Sequence, residues 1–320
     1  MKIVLSLLLS ITLFTIYGCS KPQDEPKTYK VGIVAYMDTS AETIDGFKNG
    51  LKKYGYTEGE NLKYIDFGYA NSIQDISKIV NEILEKKPDL IFTCTTPASG
   101  ITYKMTRDMN IPVIFGPVND PLGAGIVKNL NLPGENITGV KLSPSDSKRL
   151  EWIKVLNPDV TKVLVPYNPS DKSSNITVQH ITEDAKKLGL ALETYKTQTQ
   201  ADVDSLLADF PPDVQAVFLP RDGLVLSNAA AIGKVCNEKK IILSTPRYAQ
   251  VKAGATMGFG FIDFKLGEQA ARIASTVLKG ANPGDIPVET AEDYLFINHD
   301  TATLIGLKLD DKIYNQIYRE

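Results

Sequence analysis

From residue 30 onward, short apolar runs alternate with amphipathic stretches. Residues 30–36 run Lys-Val-Gly-Ile-Val-Ala-Tyr, a mostly apolar segment of buried-strand length. Residues 41–54 put Ile44, Phe47 and Leu51 on one face at helical spacing, and Gly55 follows as a stop. The same alternation predicts strands at 62–67, 88–93, 112–115 and 137–140 and a helix at 73–86. Pro97 opens a further helix, because a first-turn proline sacrifices no helical hydrogen bond.

The pattern then restarts. Residues 161–167 echo the first strand, and Lys186-Lys187-Leu188-Gly189-Leu190 echoes Lys52-Lys53-Tyr54-Gly55-Tyr56. In both places a lysine pair ends a helix, a glycine caps it and a strand follows. Strands at 216–219 and 241–244 flank a helix at 227–238. Two successive βα runs predict an α/β fold of two Rossmann-like lobes with parallel sheets. Residues 257–320 hold only a helix at 266–278, a strand at 293–297 and one or two short helices at 302–318. These pieces cannot bury a core of their own, so they complete the earlier lobes. The expected division is 30–142 plus 258–286 for lobe 1 and 143–257 plus 287–320 for lobe 2. Such a division makes the chain cross between lobes several times and creates a hinge.

The first 18 residues differ in kind. Lys2, an apolar run over 3–14 and the small Gly18 form a secretory signal peptide, since the run is too short to span a bilayer. Ile16-Tyr17-Gly18-Cys19 resembles a bacterial lipobox, with an atypical Tyr at its second position. That resemblance implies cleavage before Cys19 and acylation of it as a lipid anchor; the alternative is an ordinary signal peptide with an incidental Cys. Residues 19–29 are polar, hold Pro22 and Pro26, and predict a tether. No later segment has the length of a membrane span.

Apolar content of 43% and charged content of 23% are those of an ordinary globular chain. A net charge of -3 without a basic block argues against nucleic acid as a partner. Cys94 and Cys236 sit in apolar surroundings and are expected to be buried free thiols; the alternative is a disulfide between them. His180 and His299 lack Cys or His partners at metal-ligand spacing, so no metal and no cofactor are expected.

In open parallel sheets, ligands bind beyond the carboxyl ends of the strands. Asp38 follows the first strand, placed to hold an ammonium or else to cap the next helix. Thr95, Thr96 and Ala98 follow the third, where small residues at a helix start suit a carboxylate; the alternative there is simple capping by Thr96. Asp120 follows the fourth, in an Asp-Pro turn. In the second half Asn168 and Asp222 fall where the opposite wall of a cleft should lie. Catalysis has little support: the chain contains neither a Gly-x-Ser-x-Gly elbow nor a phosphate loop, and it is not expected to be an enzyme.

Several segments together resemble one family. They are Thr96-Pro97-Ala98, Asp120-Pro121-Leu122-Gly123-Ala124-Gly125, Pro133-Gly134-Glu135-Asn136-Ile137-Thr138-Gly139-Val140, Tyr167-Asn168-Pro169 and Leu278-Lys279-Gly280-Ala281-Asn282-Pro283. They look like the ABC-transporter substrate-binding lipoproteins that include tryptophan- and tyrosine-binding members. The resemblance implies a type I periplasmic-binding-protein fold with about three crossings, an extracytoplasmic monomer serving an ABC importer, and a permease as partner. It also implies that Thr95, Thr96 and Ala98 face a ligand carboxylate, that Asp120 and Asp222 match acidic positions, and that Asn168 matches an asparagine of the second lobe. The chain departs from aromatic binders at Ala35, at Met37-Asp38-Thr39, at Asp171-Lys172-Ser173-Ser174 and at Gly223. The resemblance therefore gives an amino-acid-like solute without naming it. A sensory module reporting to a membrane receptor kinase is the alternative use of the same scaffold.

Overall fold

A computed structural model describes residues 27–319. The expected signal peptide, Cys19 and the start of the tether lie outside the described residues. The first half alternates β1 (Tyr29–Tyr36), α1 (Ala41–Lys53), β2 (Leu62–Ala70), α2 (Ile73–Glu85), β3 (Leu90–Cys94), α3 (Thr96–Thr106), β4 (Val113–Val118) and β5 (Ile137–Lys141). The second half repeats the plan with α4 (Asp146–Leu156), β6 (Lys162–Tyr167), α5 (Lys172–Lys187), β7 (Ala191–Lys196), α6 (Gln200–Ala208) and β8 (Ala216–Phe218). It continues through α7 (Gly223–Ser227), α8 (Ala229–Lys239), β9 (Ile242–Thr245), α9 (Tyr248–Lys252) and β10 (Met257–Gly260). The closing pieces are α10 (Asp263–Leu278), β11 (Glu289–Thr290), β12 (Tyr294–Ile297), α11 (His299–Leu304) and α12 (Asp311–Tyr314).

Two six-stranded sheets result, ordered β11-β5-β4-β3-β1-β2 and β12-β10-β9-β8-β6-β7. All pairings are parallel except β10 with β12. Alternation along the central strands feeds two cores per sheet, as expected of strands covered on both faces. Val31, Ile33 and Ala35 of β1 pack with α1 and α10, while Val34 packs on the opposite face with Ile76 and Val80 of α2. In the second sheet Val163 and Val165 face one core and Leu164 the other. The echo between the halves is physical: Gly55 and Gly189 both take a left-handed φ, 87° and 67°. There Tyr56 N–H returns to Leu51 O and Leu190 N–H to Ala185 O, the bond that closes a helix past a glycine. Cys94 and Cys236 are separate buried thiols, one in each lobe, and burial pushes Cys236 up to about 12.

The chain crosses between lobes at residues 142–145, 261–262 and 291–293. Two expected boundaries move. Residues 258–260 belong to the second sheet, because Met257–Gly260 pairs with β9 and β12. Residues 287–290 belong to the first lobe, because Glu289 and Thr290 pair with Val140 and Lys141. A two-residue strand has no period to detect, which is why the sequence pattern misplaces it. At the hinge, the fully buried Arg149 donates to Leu219 O (2.8 Å) and to Asp146 (3.0 Å), and it lies 3.8 Å from the centre of the Phe218 ring. Burial pulls its pKa down to about 10 against the opposing pull of Asp146. The C-terminal tail closes over the hinge: Tyr318 N–H donates to Leu295 O, and Lys265 of α10 lies 5.6 Å from the Tyr318 ring centre.

Helices α1 and α10 touch at the level of their backbones. A methyl carbon built on Gly46 would sit 1.9 Å from the Phe264 carbonyl oxygen, and one on Gly267 would sit 2.1 Å from that of Thr43. Both neighbours are backbone and cannot rotate away. Gly46→Ala is therefore expected to destabilise the protein by about 1–3 kcal/mol through overpacking. A denaturant midpoint equal to wild type would show that the helices are not in this contact.

Candidate functional site

In each sheet, successive connections turn to opposite sides of one strand pair, β1/β3 in the first and β6/β8 in the second. Such a switch point leaves a crevice at the carboxyl edge where the two loops diverge. The first crevice is bounded by residues 37–40 and by Thr95–Thr96. The second is bounded by Asn168–Ser170 and by Pro220–Asp222. Asp38, Thr95, Thr96, Asn168 and Asp222 all fall on these loops, and Asp120 lies on the adjoining loop after β4.

The first crevice is strained on both sides. Met37 has φ 65° and ψ 156°, and Thr95 has φ 80° and ψ 159°. This region is close to glycine-only and costs about 1–3 kcal/mol per residue. Both outliers sit at the carboxyl ends of hydrogen-bonded neighbours, where the turn must aim the next helix. Thr95 holds its conformation through α3: its carbonyl accepts from the Ser99 amide (3.0 Å) and the Ser99 hydroxyl (2.7 Å). Its own hydroxyl oxygen is buried without a partner. No side chain caps α3. The expected alternative, simple capping by Thr96, is therefore not found: the Thr96 hydroxyl instead accepts from the Asn119 amide at 3.4 Å. The first-turn N–H groups of α3 face out of the helix end with its positive dipole.

Asp38 is exposed, and the helix-capping alternative is not realised there either: α1 has no side-chain cap. Burial, then the carboxylates of Asp45, Asp66 and Asp38, push the Tyr69 hydroxyl up, which marks this end of the crevice as negative. Asp120 is exposed and accepts from the Gly123 amide at 2.9 Å, bracing its own turn. Two expected ligand residues need correction. Ala98 is fully buried in the core with Val34 and Val113, so its side chain does not line the crevice; only its first-turn N–H lies at the helix start. Asp222 is 1% exposed. One of its oxygens accepts from Asn168 N–H (2.7 Å) and the other from Val225 N–H (3.1 Å), so it ties the two loops of the second crevice together. Asn168 folds its own side chain onto Ser170 N–H at 2.9 Å.

Sequence reasoning missed the groups that reach between lobes. Arg221 donates to Ser145 Oγ (2.9 Å), Ser143 O (3.4 Å) and Asn119 Oδ1 (3.5 Å). Arg247, after β9, pairs with Asp263 at 3.0 Å, and Asp263 also accepts from Thr43 at 3.3 Å. The signal was present: Arg221 and Arg247 fall two and three residues after the predicted strands 216–219 and 241–244, on the loops where a cleft wall is expected. Burial pushes Asp146 up, yet Arg149 and Arg221 more than offset this and hold it below the usual carboxylate range. A cavity of about 350 Å³ runs along α10 outside the crevices. Of its charged lining residues, Arg272 pairs with Glu289, and Glu268 pairs with Lys53 just outside. Among the described residues no cluster of His, Cys, Asp or Glu could hold a metal, and no helix is long and apolar enough to cross a membrane.

If Thr95 is held in a glycine-like conformation by the crevice, Thr95→Gly should raise the melting temperature by a degree or two, on the order of 1 kcal/mol. Thr96→Gly should lower it, since it weakens α3 and removes the bond from Asn119. Equal losses in both variants would remove the case for strain.

Comparison with known proteins agrees with this architecture. The family described as ABC transporter substrate binding protein matches residues 30–318. A tyrosine-binding protein of Clostridioides difficile is 31% identical, over 96% of this chain and 92% of its own length. A ligand-free, open substrate-binding protein with adhesive properties from Clostridium difficile superposes with a TM-score of 0.78 at 28% identity, covering 91% of this chain and 98% of that one. A Streptococcus pneumonia ABC domain in complex with L-Trp shares the fold, with a TM-score of 0.76 at 24% identity over 91% of this chain and 99% of that one. Two facing α/β lobes on a three-segment hinge, matched almost end to end in sequence, make this chain a member of the ABC transporter substrate-binding proteins.

Proposed function

We infer that the chain captures an amino acid of the tyrosine–tryptophan class between its lobes and delivers it to an ABC permease as part of an importer. As a substrate-binding protein it is not an enzyme, and it works on the extracytoplasmic side of a membrane. The observation that carries the ligand class is the split field of the crevices. Asp38 and Asp45 gather around Tyr69 at one end. The open N-terminus of α3 lies at the other. A zwitterion matches both ends at once, ammonium to the carboxylates and carboxylate to the helix start. Met37 and Tyr69 are large side chains left exposed on the same rim, 46% and 38%, and they offer apolar surface to a ring. The relative named for tyrosine supports the same class. Closure follows because a solute touches both walls only when they approach. The lipid on Cys19, with residues 20–28 as tether, keeps the protein beside its permease.

A thermal-shift series with L-tyrosine, L-tryptophan and the remaining amino acids tests the ligand. A ligand at about 100 times its Kd adds roughly 2.7 kcal/mol, so a shift of several degrees is expected for an aromatic amino acid. No shift with any amino acid removes this reading. The anchor has its own test. The full chain should sediment with membranes and Cys19→Ala should appear in the soluble fraction; identical partition of the two would remove the lipid.

A further inference from the structure

We propose that Arg221 and Asn119 form a latch that sets how far the lobes stand apart. The proposal rests on the reading that the lobes close around a solute, and it adds a residue pair that does not touch that solute. The Arg221 side chain is anchored at one end and loose at the other. Its firm contacts are with the first crossing, Ser145 Oγ at 2.9 Å and Ser143 O at 3.4 Å. Asp146, the first residue of α4, and Asp293, at the third crossing, feel its charge. Its contact with the first lobe is a single bond to Asn119 Oδ1 at 3.5 Å, the outer limit of a hydrogen bond. Its Nε donor is buried without a partner.

The hinge end changes little when the lobes rotate, because rotation occurs about it. The Asn119 end must change, because Asn119 follows β4 and moves with the first lobe. One guanidinium thus spans a fixed point and a moving one. The two walls are joined through it in sequence. Asn168 is tied to Asp222, the residue next to Arg221, and Asn119 is tied through its amide to Thr96 at the start of α3. Closing shortens the Arg221–Asn119 contact, and a charge-assisted bond of ordinary length then favours the nearer arrangement. Arg221 is a positioning residue: it acts on the ligand only through the lobe angle.

The test measures lobe separation without ligand, by electron–electron distance spectroscopy on the chain from residue 20. Nitroxides are placed at Asn81→Cys and Lys234→Cys, exposed positions on α2 and α8. The native Cys94 and Cys236 are buried and stay unlabelled. Asn119→Ala and Arg221→Gln should each lengthen and broaden the distance distribution, and the double variant should do no more than either alone. Asn119 is exposed and its backbone bond to Thr96 survives truncation, so this variant keeps the test valid even if loss of Arg221 disturbs the hinge. Affinity for whichever of L-tyrosine or L-tryptophan stabilises the wild type should fall about tenfold in both single variants. An unchanged distribution in Asn119→Ala, or additive effects in the double variant, overturns the latch. The distance readout needs no ligand, so its result stands even if no amino acid binds.

Discussion

The backbone contact between α1 and α10 is the constraint on which the rest of the arrangement depends. Helix α10 begins only three residues after β10, the last parallel strand of the second sheet. Wherever α10 is fixed, the second lobe is hung from that point. Gly46 and Gly267 let the two helices approach until only hydrogen fits between them, and Gly50 meets Ala271 a turn further on. Close packing of this kind is stiff, because backbone has no rotamers to exchange. It fixes the crossing at residues 261–262 against α1, the helix that starts just past Asp38. The ligand-facing end of β1 and the hinge therefore share one rigid body.

The remaining crossings are held by charge. Arg149 is fully buried, which is tolerable only because Asp146, a backbone carbonyl and an aromatic face surround it. Arg221 joins the same group from the tip of the second sheet. Burial raises Asp293, with Arg221 pulling the other way, so the third crossing belongs to the same electrostatic cluster. A hinge built on ion pairs differs from one built on apolar packing. Its angle-dependent contacts are directional, so small rotations change them sharply, whereas dispersion contacts change by degrees.

Much of this was legible in the sequence because it follows from period and punctuation. Helices ending at Lys52-Lys53 and Lys186-Lys187 with glycine after them, and strands at 30–36 and 161–167, were placed within a residue or two. The duplication, the number of lobes and the loops that carry the site followed from that alternation. Boundaries failed where an element has no period: β11 is two residues long, and β10 was divided. Side-chain roles failed for another reason. Ala98 and Asp222 lie on the right loops, but position on a loop does not say which way a side chain points. A first-turn alanine on α3 faces the core, and an acid that precedes a short helix caps it. The arginines' roles carry no such signal, because their partners, Asn119, Ser145 and Asp263, are far along the chain or near only in the fold.

The two switch points share a topology and differ in how complete they are. At the second, Asp222 satisfies Asn168 and Val225 with its two oxygens, and Asn168 satisfies Ser170, while the Arg221 Nε beside them stays buried without a partner. At the first, the α3 start has no side-chain cap, the Thr95 hydroxyl oxygen has no partner, and two residues sit in costly backbone conformations. A polar group gains most from a new partner when it lacks one, and preorganised donors need no rearrangement to accept it. Partnerless polar atoms therefore remain on both walls, and the costly backbone conformations lie on the first. Duplication provided two similar halves, and the difference between their walls follows from a handful of residues at the strand ends.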